Sequence, residues 1–306
     1  MGTIVAFDRK HDLVDCELLA SHGLPVTVLN VSELKIAALQ CVPGMSLRAF
    51  MNVLVALLGN HLRLMASRRL LLETLQLLYR RQRPRGVWPT LSEWIETIER
   101  IRADSTSRQG QYREAALFAL KGLVNELGES VDYAASDLFE MLYASDGCFV
   151  VQCGSLGAEA ASFLAGLFVN WIYEYRGLPE HSGDWLRVVV FVMDDALPLV
   201  TGSTASESEG GGNPLANWAF MARARGIGFV VAAQNFSLIS PAFRNNANTI
   251  LCCGGSYGRD AEELGRHLSL TREQGQRLRV LQPGEAIALA HSEWPYTVYG
   301  RVPEVL

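Results

Sequence analysis

This sequence lacks several patterns that would assign it to a common class of protein. Its six cysteines include no Cys-x-x-Cys pair and have no histidine at metal-ligand spacing, which argues against a zinc or dithiol site. No apolar run reaches the ~20 residues that cross a bilayer, and no basic segment with a long apolar region opens the chain. No Gly-x-Gly-x-x-Gly follows the first predicted strand, which disfavours a Rossmann-type cofactor enzyme. These absences predict a soluble, cytoplasmic protein.

The composition sets wide limits on size and partners. With 306 residues, of which 49% are apolar, the chain can build one large domain or a core domain with a substantial insertion. The formal net charge of −5 argues against a surface that is coated in nucleic acid. A local DNA-binding loop remains compatible with that charge, because affinity follows the local field and not the sum.

The hydrophobic pattern alternates between strands and helices, apart from one long helical stretch. Thr3–Phe7 and Leu24–Val31 predict two opening strands, and six further apolar runs after residue 146 predict the others. Residues 43–145 carry apolar side chains at helical spacing and predict a helical insertion between core segments 1–42 and 146–306. Continuous apolar strands are buried on both faces, so we expect an α/β fold with a mostly parallel, doubly wound sheet.

Polar residues follow the predicted strands. Asp8 and Lys10 follow the first predicted strand. Asp194 and Asp195 follow the apolar run that ends at Met193, and Gln234 follows the next apolar run along the chain. The carboxyl ends of parallel strands meet at one edge, where functional groups collect. Two interpretations of the adjacent acids remain open at this point. Acids at strand ends form turns and begin helices, whereas a nucleotide-hydrolysing site uses one carboxylate for Mg²⁺ and another to orient water.

These stretches resemble the HerA/FtsK superfamily of ring-forming ATPases. IVAFDRKHDL (4–13) is similar to the strand after their phosphate-binding helix, and VVVFVMDDA (188–196) to their Walker B motif. ARARGIGFVVAAQ (222–234) resembles an arginine-containing helix end followed by a strand that ends in Gln. The resemblance covers nearly the whole chain. It implies a RecA-like fold and an ATP-driven DNA-translocating motor, of helicase or conjugative DNA-transfer type.

The resemblance also implies cofactors, and it implies roles for the polar residues that follow the strands. ATP and Mg²⁺ would be the cofactors, with Asp194 binding the metal mostly through water. Asp195 would polarise the attacking water, although the family usually has Glu there and Asp is one methylene shorter. Asp8 and Lys10 would belong to the nucleotide-binding edge, as the family's Asp-x-Lys strand end does.

Further roles follow from the same resemblance. Gln234 would be the sensor amide near the γ-phosphate, and Arg223 and Arg244 are candidates for an arginine supplied to a neighbouring subunit's nucleotide. For either arginine alone, a surface charge near a helix end is an equal alternative. The implied assembly is a homo-hexamer with DNA in a central channel. Partner proteins of a DNA-processing or secretion system are expected as well.

One departure from the family opens a second hypothesis. The 306 residues contain no Gly-x-x-x-x-Gly-Lys-Ser/Thr loop, whose backbone N–H groups and lysine cradle phosphates. Either the sequence is N-terminally incomplete, or nucleotide binding has been lost and the protein is a non-catalytic scaffold that assembles with active subunits. In both cases we expect the chain alone to bind ATP weakly or not at all. The low-complexity loop Gly202–Asn213 is predicted to be mobile.

Overall fold

The computed structural model describes most of the chain, namely residues 2–13, 23, 25–62, 64–82, 87–181, 187–194, 218, 220–294 and 296–302. Asp195 and the predicted mobile loop Gly202–Asn213 lie outside the described residues. The chain divides into two compact units, and among the described residues the first ends at Ala232 and the second begins at Ala233.

A five-stranded parallel sheet forms the centre of the first unit. Its strands are β1 (Thr3–Asp8), β2 (Val26–Asn30), β3 (Gly147–Gln152), β4 (Val189–Met193) and β5 (Ile227–Val231). They lie in the order β2-β3-β1-β4-β5, and every neighbouring pair is parallel. β1 and β3 are almost entirely buried, as expected for a sheet covered on both faces. The predicted α/β fold with a parallel sheet is confirmed.

The stretch between β2 and β3 is helical, as its apolar spacing predicts. It contains α1 (Leu47–His61), α2 (Arg68–Gln82), α3 (Leu91–Glu99), α4 (Arg108–Leu127) and α5 (Leu138–Ala144). Thr90 and Glu93 form a capping box at the start of α3, and Gly128, with φ 64°, ends α4. The division into two units does not separate this segment from the sheet, so the domain boundaries at 43 and 145 stay a prediction.

Helix α6 (Ala158–Arg176) lies between the sheet and the helical segment. It packs on α1, α4 and α5, and its Phe168 contacts Phe7 of β1 edge to face, with ring centroids 5.7 Å apart. Almost the whole helix is buried. Even so, no helix among the described residues is both long and apolar enough to cross a membrane.

The second unit contains its own antiparallel sheet. Helices α7 (Pro241–Asn246), α8 (Gly258–His267) and α9 (Arg272–Leu278) accompany strands β6 (Thr249–Cys253), β7 (Glu285–Ala290) and β8 (Val298–Arg301), paired in the order β6-β7-β8. Burial alternates along β6, which is typical of a strand that packs on one face only. Ile250 and Ile287 from this sheet form a core with Leu264 of α8 and Leu278 of α9.

Candidate functional site

Asp8 organises the loop that follows β1. The residue is fully buried, and its Oδ1 accepts a hydrogen bond from the Lys10 N–H at 3.1 Å. Its Oδ2 accepts one from the Leu13 N–H at 3.2 Å. The Lys10 side chain is exposed, and His11 adopts a positive φ of 61°. Both carboxylate oxygens of Asp8 therefore hold the backbone of a cationic loop at the carboxyl edge of the sheet.

The loop after β3 packs closely against this cationic loop. The Cys153 N–H donates a hydrogen bond to the Asp8 carbonyl oxygen at 2.8 Å. A Cβ at Gly154 would overlap His11 Nε2 and would lie 2.9 Å from the Arg9 carbonyl oxygen, so no side chain fits there. Burial raises the pKa of the Cys153 thiol to about 12, while the nearby Arg9 opposes this shift and Asp8 adds to it. The two loops thus form one tightly packed edge.

A carboxylate lies at the N-terminus of α6. The Gly157 N–H, at the N-cap of that helix, donates to Glu126 Oε2 of α4 at 3.1 Å. Unpaired N–H groups make a helix N-terminus attractive to anions. Here Glu126 already fills that position from the helical segment. Sequence pattern does not indicate this contact, because the two residues are 31 positions apart.

Asp194 ends β4, the strand next to β1. Phe7 pairs with Met193, so Asp8 and Asp194 follow directly at the same edge of the sheet, as the sequence predicts. Asp194 is half-buried, and its carboxylate makes no hydrogen bond or ion pair with any residue that the structure describes. Oxygen ligands of this kind suit Mg²⁺, which keeps several waters and takes one or two carboxylates. Asp194 therefore fits a metal ligand, whereas both oxygens of Asp8 are already engaged.

Two further members of the predicted site are Asp195 and Gln234. Asp195 falls outside the described residues, and Gln234 is an exposed residue of the second unit, three positions after β5 ends. The roles of both residues stay predictions. No group of three or more His, Cys, Asp or Glu side chains able to hold a metal occurs within the described part of the chain.

Arg223 lies at the opposite edge of the parallel sheet. It is exposed in the single turn Ala222–Arg225, which leads through Gly226 into β5. The five residues of β5 place it roughly 16 Å from the carboxyl edge, beyond the reach of its side chain. Arg223 therefore cannot reach the carboxyl edge of its own sheet. Its predicted role, as an arginine supplied to the nucleotide of a neighbouring subunit, does not require that reach and stays a prediction.

Arg244 is engaged inside the second unit. Its Nη1 forms a salt bridge with Glu263 of α8, and its guanidinium lies 5.5 Å from the Phe236 ring centroid. Both side chains of the ion pair are about nine-tenths buried, with 12% and 11% exposed. Glu263 also accepts a hydrogen bond from Arg259 Nε at 2.9 Å. A role of Arg244 in another subunit would require it to leave this pair.

The sequence did not indicate the arginine cluster at the amino edge of the sheet. Arg176, at the end of α6 and 4% exposed, donates from Nη1 to the carbonyl oxygens of Arg225 (2.9 Å) and Gly226 (2.8 Å). Its Nη2 donates to the Arg187 carbonyl oxygen. Arg225 in turn donates to the Tyr173 carbonyl oxygen at 2.6 Å. An arginine in the last turn of a helix is common, so nothing in the pattern marks Arg176 as buried.

Comparison with known proteins finds solved structures with the same fold, but no related sequence. No protein-family model matches the sequence, and no curated protein matches it. The fold is shared with two solved structures, VirB4 and the conjugative coupling protein TrwB. VirB4 of Thermoanaerobacter pseudethanolicus is similar over 99% of this chain and 82% of its own, with a TM-score of 0.69 and 16% identity.

The coupling protein TrwB is a second similar structure. Its unbound form matches 99% of this chain and 84% of its own, with a TM-score of 0.60 and 13% identity. The form in complex with ADP and Mg²⁺ matches 98% of this chain and 84% of its own, with a TM-score of 0.61 and 14% identity. At these identities the similarity establishes the fold alone.

Proposed function

We propose that this chain is the core of an ATP-driven DNA-translocating motor, of helicase or DNA-transfer type. The observation that carries the proposal is the placement of Asp8 and Asp194 at the ends of adjacent parallel strands, in a fold shared with VirB4 and TrwB. TrwB binds ADP and Mg²⁺ in its crystal, which supports ATP and Mg²⁺ as the ligands of this site. Mg²⁺ would neutralise phosphate charge there.

The proposal gives each residue at the carboxyl edge a separate task. Asp194 binds the metal, mostly through water, because its carboxylate makes no hydrogen bond to a described residue. Asp195 orients the attacking water. Asp8 acts indirectly, since its two oxygens fix the backbone of the loop that presents the exposed Lys10 towards the nucleotide.

The remaining roles concern the assembly. Gln234 senses the γ-phosphate, and Arg223 is the stronger candidate for the arginine acting on a neighbouring subunit, because it is exposed while Arg244 is paired with Glu263. This arrangement requires a ring, for which we propose a homo-hexamer in the cytoplasm with DNA in its central channel. A conjugation or secretion system would supply the partner proteins.

Mutation of the two acids tests the motor hypothesis. Since the 306 residues contain no Gly-Lys-Ser/Thr loop, turnover requires a phosphate-binding loop from outside them, and the assay uses protein in which one is present. Asp195→Asn is expected to retain nucleotide binding and lose steady-state ATPase turnover. Asp194→Asn is expected to weaken Mg²⁺-dependent binding as well. Full turnover in Asp195→Asn would refute the assigned role.

A non-catalytic scaffold is the second candidate function, and the missing phosphate-binding loop favours it. Isothermal titration of the 306-residue chain with ATP and Mg²⁺ addresses this alternative. We expect no micromolar binding by the chain alone. Restored binding once an upstream loop is present would favour the motor, whereas its continued absence would favour the scaffold.

A further inference from the structure

A basic groove runs along the second unit between α8 and α9. It has a volume of about 860 Å³ and is open to solvent. Eleven residues line it, among them three arginines (Arg266, Arg272 and Arg279), and Glu262 is the single acid. Leu270 gives the lining an apolar contact surface.

Three arginines against the single acid Glu262 leave the groove lining with a net positive charge. Asp260 of α8 accepts a hydrogen bond from the Ser237 N–H at 2.7 Å. Glu263 is paired with Arg244 and Arg259. These acids are therefore engaged away from the groove. None of the three groove arginines forms an ion pair with a residue that the structure describes.

Two glycines leave the backbone bare on both walls. Gly265 of α8 and Gly275 of α9 line the groove, and a Cβ added at either would meet no atom within 4 Å. Glycine inside a helix destabilises it relative to alanine, and packing within the unit does not require it at these positions. The small side chains do, however, let the backbone of a bound segment approach both helices closely.

Exposed apolar side chains flank the two helices that line the groove, with Tyr257 directly before α8 and Val280 two residues after α9. Tyr257 is 74% exposed and Val280 is 63% exposed. The hydrogen bond from the Ser256 N–H to the Leu278 carbonyl oxygen, at 3.1 Å, joins the segments that carry them. Tyrosine and arginine are enriched at the centres of protein interfaces.

We propose that this groove docks an α-helical segment of a partner protein, with an apolar stripe facing the two glycines and acidic side chains towards the three arginines. Helices commonly bind in grooves in this manner. Single-stranded nucleic acid is disfavoured as the occupant because the groove lining has no aromatic side chain on which bases would stack.

Fluorescence anisotropy with the whole 306-residue chain tests this proposal without reference to ATP. The probe is a labelled 16-residue helical peptide with Leu at positions three and four apart and Glu elsewhere. The controls are the same peptide with Lys for Glu and a 16-nucleotide single strand of DNA. We expect the Glu peptide to bind and the Lys peptide not to bind. Replacing any one groove arginine by Ala should weaken binding about three-fold, and replacing all three roughly 30-fold.

A shape variant separates docking from general charge attraction. Gly265→Leu fills the groove without changing its charge and should abolish peptide binding. Gly122→Leu in α4 is the matched control, because a Cβ there also meets nothing within 4 Å, and it should bind as the wild type does. Thermal melts confirm that each variant is folded.

Three outcomes would overturn the proposal. The Glu peptide could fail to bind, or it could bind the triple arginine variant as tightly as the wild type. The DNA control could instead bind in a manner that depends on the same arginines. That last result would assign the groove to nucleic acid.

Discussion

The two edges of the parallel sheet carry buried or half-buried charges that do different work. At the amino edge, Arg176 and Arg225 donate to backbone carbonyl oxygens and join the end of α6 to the segments before β4 and β5. At the carboxyl edge, Asp8 holds its own loop, while Asp194 has no partner among the described residues. Burial alone therefore does not distinguish structural charges from candidate functional ones. The structural charges are those whose side chains form hydrogen bonds with the backbone.

The energetic consequence differs between the edges as well. A buried donor that satisfies several carbonyl groups cannot be removed without leaving them unpaired, which costs about 1–3 kcal/mol for each buried group that stays unsatisfied. A half-buried carboxylate without a protein partner can be removed at little cost. We therefore expect stability to depend more on the amino edge and activity more on the carboxyl edge.

Arg176→Ala should produce the largest effect. It removes the donor to three carbonyl oxygens, so we expect a loss of about 3 kcal/mol or more in the free energy of unfolding, measured with urea. Arg223→Ala, in the exposed part of the neighbouring turn, is the control and should change stability by less than about 0.5 kcal/mol. Equal effects of the two variants would break the comparison.

Asp8→Ala should have the next largest effect. Two backbone N–H groups lose the fully buried carboxylate that accepts their hydrogen bonds, and we expect a loss of about 2 kcal/mol. Asp194→Ala should stay within about 0.5 kcal/mol of the wild type. Urea unfolding of both variants measures this difference. A large loss in Asp194→Ala would show that this residue too is structural.

Much of the fold follows from local pattern. The strands of the parallel sheet are continuous apolar runs, and Thr90 and Gly128 mark helix ends by cap chemistry that acts within a few residues. The separate antiparallel sheet of β6 to β8 could not be predicted so well. Its pairing depends on contacts between distant segments, which the spacing of residues in the sequence does not reveal.

The site was predictable to the same limited extent. The rule that parallel strands present their carboxyl ends at one edge correctly placed Asp8 and Asp194 together. It could not reveal that Arg223 lies at the other edge, nor that Glu126 reaches the N-terminus of α6. Those facts depend on how helices cross the sheet, which sequence spacing does not determine.

The pH dependence of the amino edge sharpens the comparison further. Burial raises the pKa of Glu174 above its ordinary 4.5, and Arg225, 3.9 Å away, partly offsets this shift. The folded state therefore binds the proton more tightly than the unfolded state. The stabilisation from Glu174 is complete below about pH 4.5 and is lost as the pH rises through the higher folded pKa.

Urea unfolding between pH 4 and 7 measures this contribution. The difference in unfolding free energy between wild type and Glu174→Gln should fall as the pH rises, since only the wild type can lose that proton. Arg225→Met removes the charge that favours the ionised carboxylate and should make the fall steeper. A difference that rises with pH would mean that Arg225, and not burial, dominates at Glu174.

The smallest effect is expected at the Cys153 thiol, whose reactivity reports how tightly the carboxyl edge is packed. Its pKa of about 12 and its burial predict very slow reaction with a disulfide reagent at pH 8, whereas the exposed Cys253 should react quickly. Cys16 lies outside the described residues, so every variant carries Cys16→Ser. Cys253→Ser should then remove the fast phase, and Cys153→Ser should leave the fast phase unchanged. If Cys153→Ser reduced the fast phase, the loops after β1 and β3 would have to open in solution. The carboxyl edge would then be a movable part of the site, and the fixed position of Lys10 would not follow from the two hydrogen bonds of Asp8.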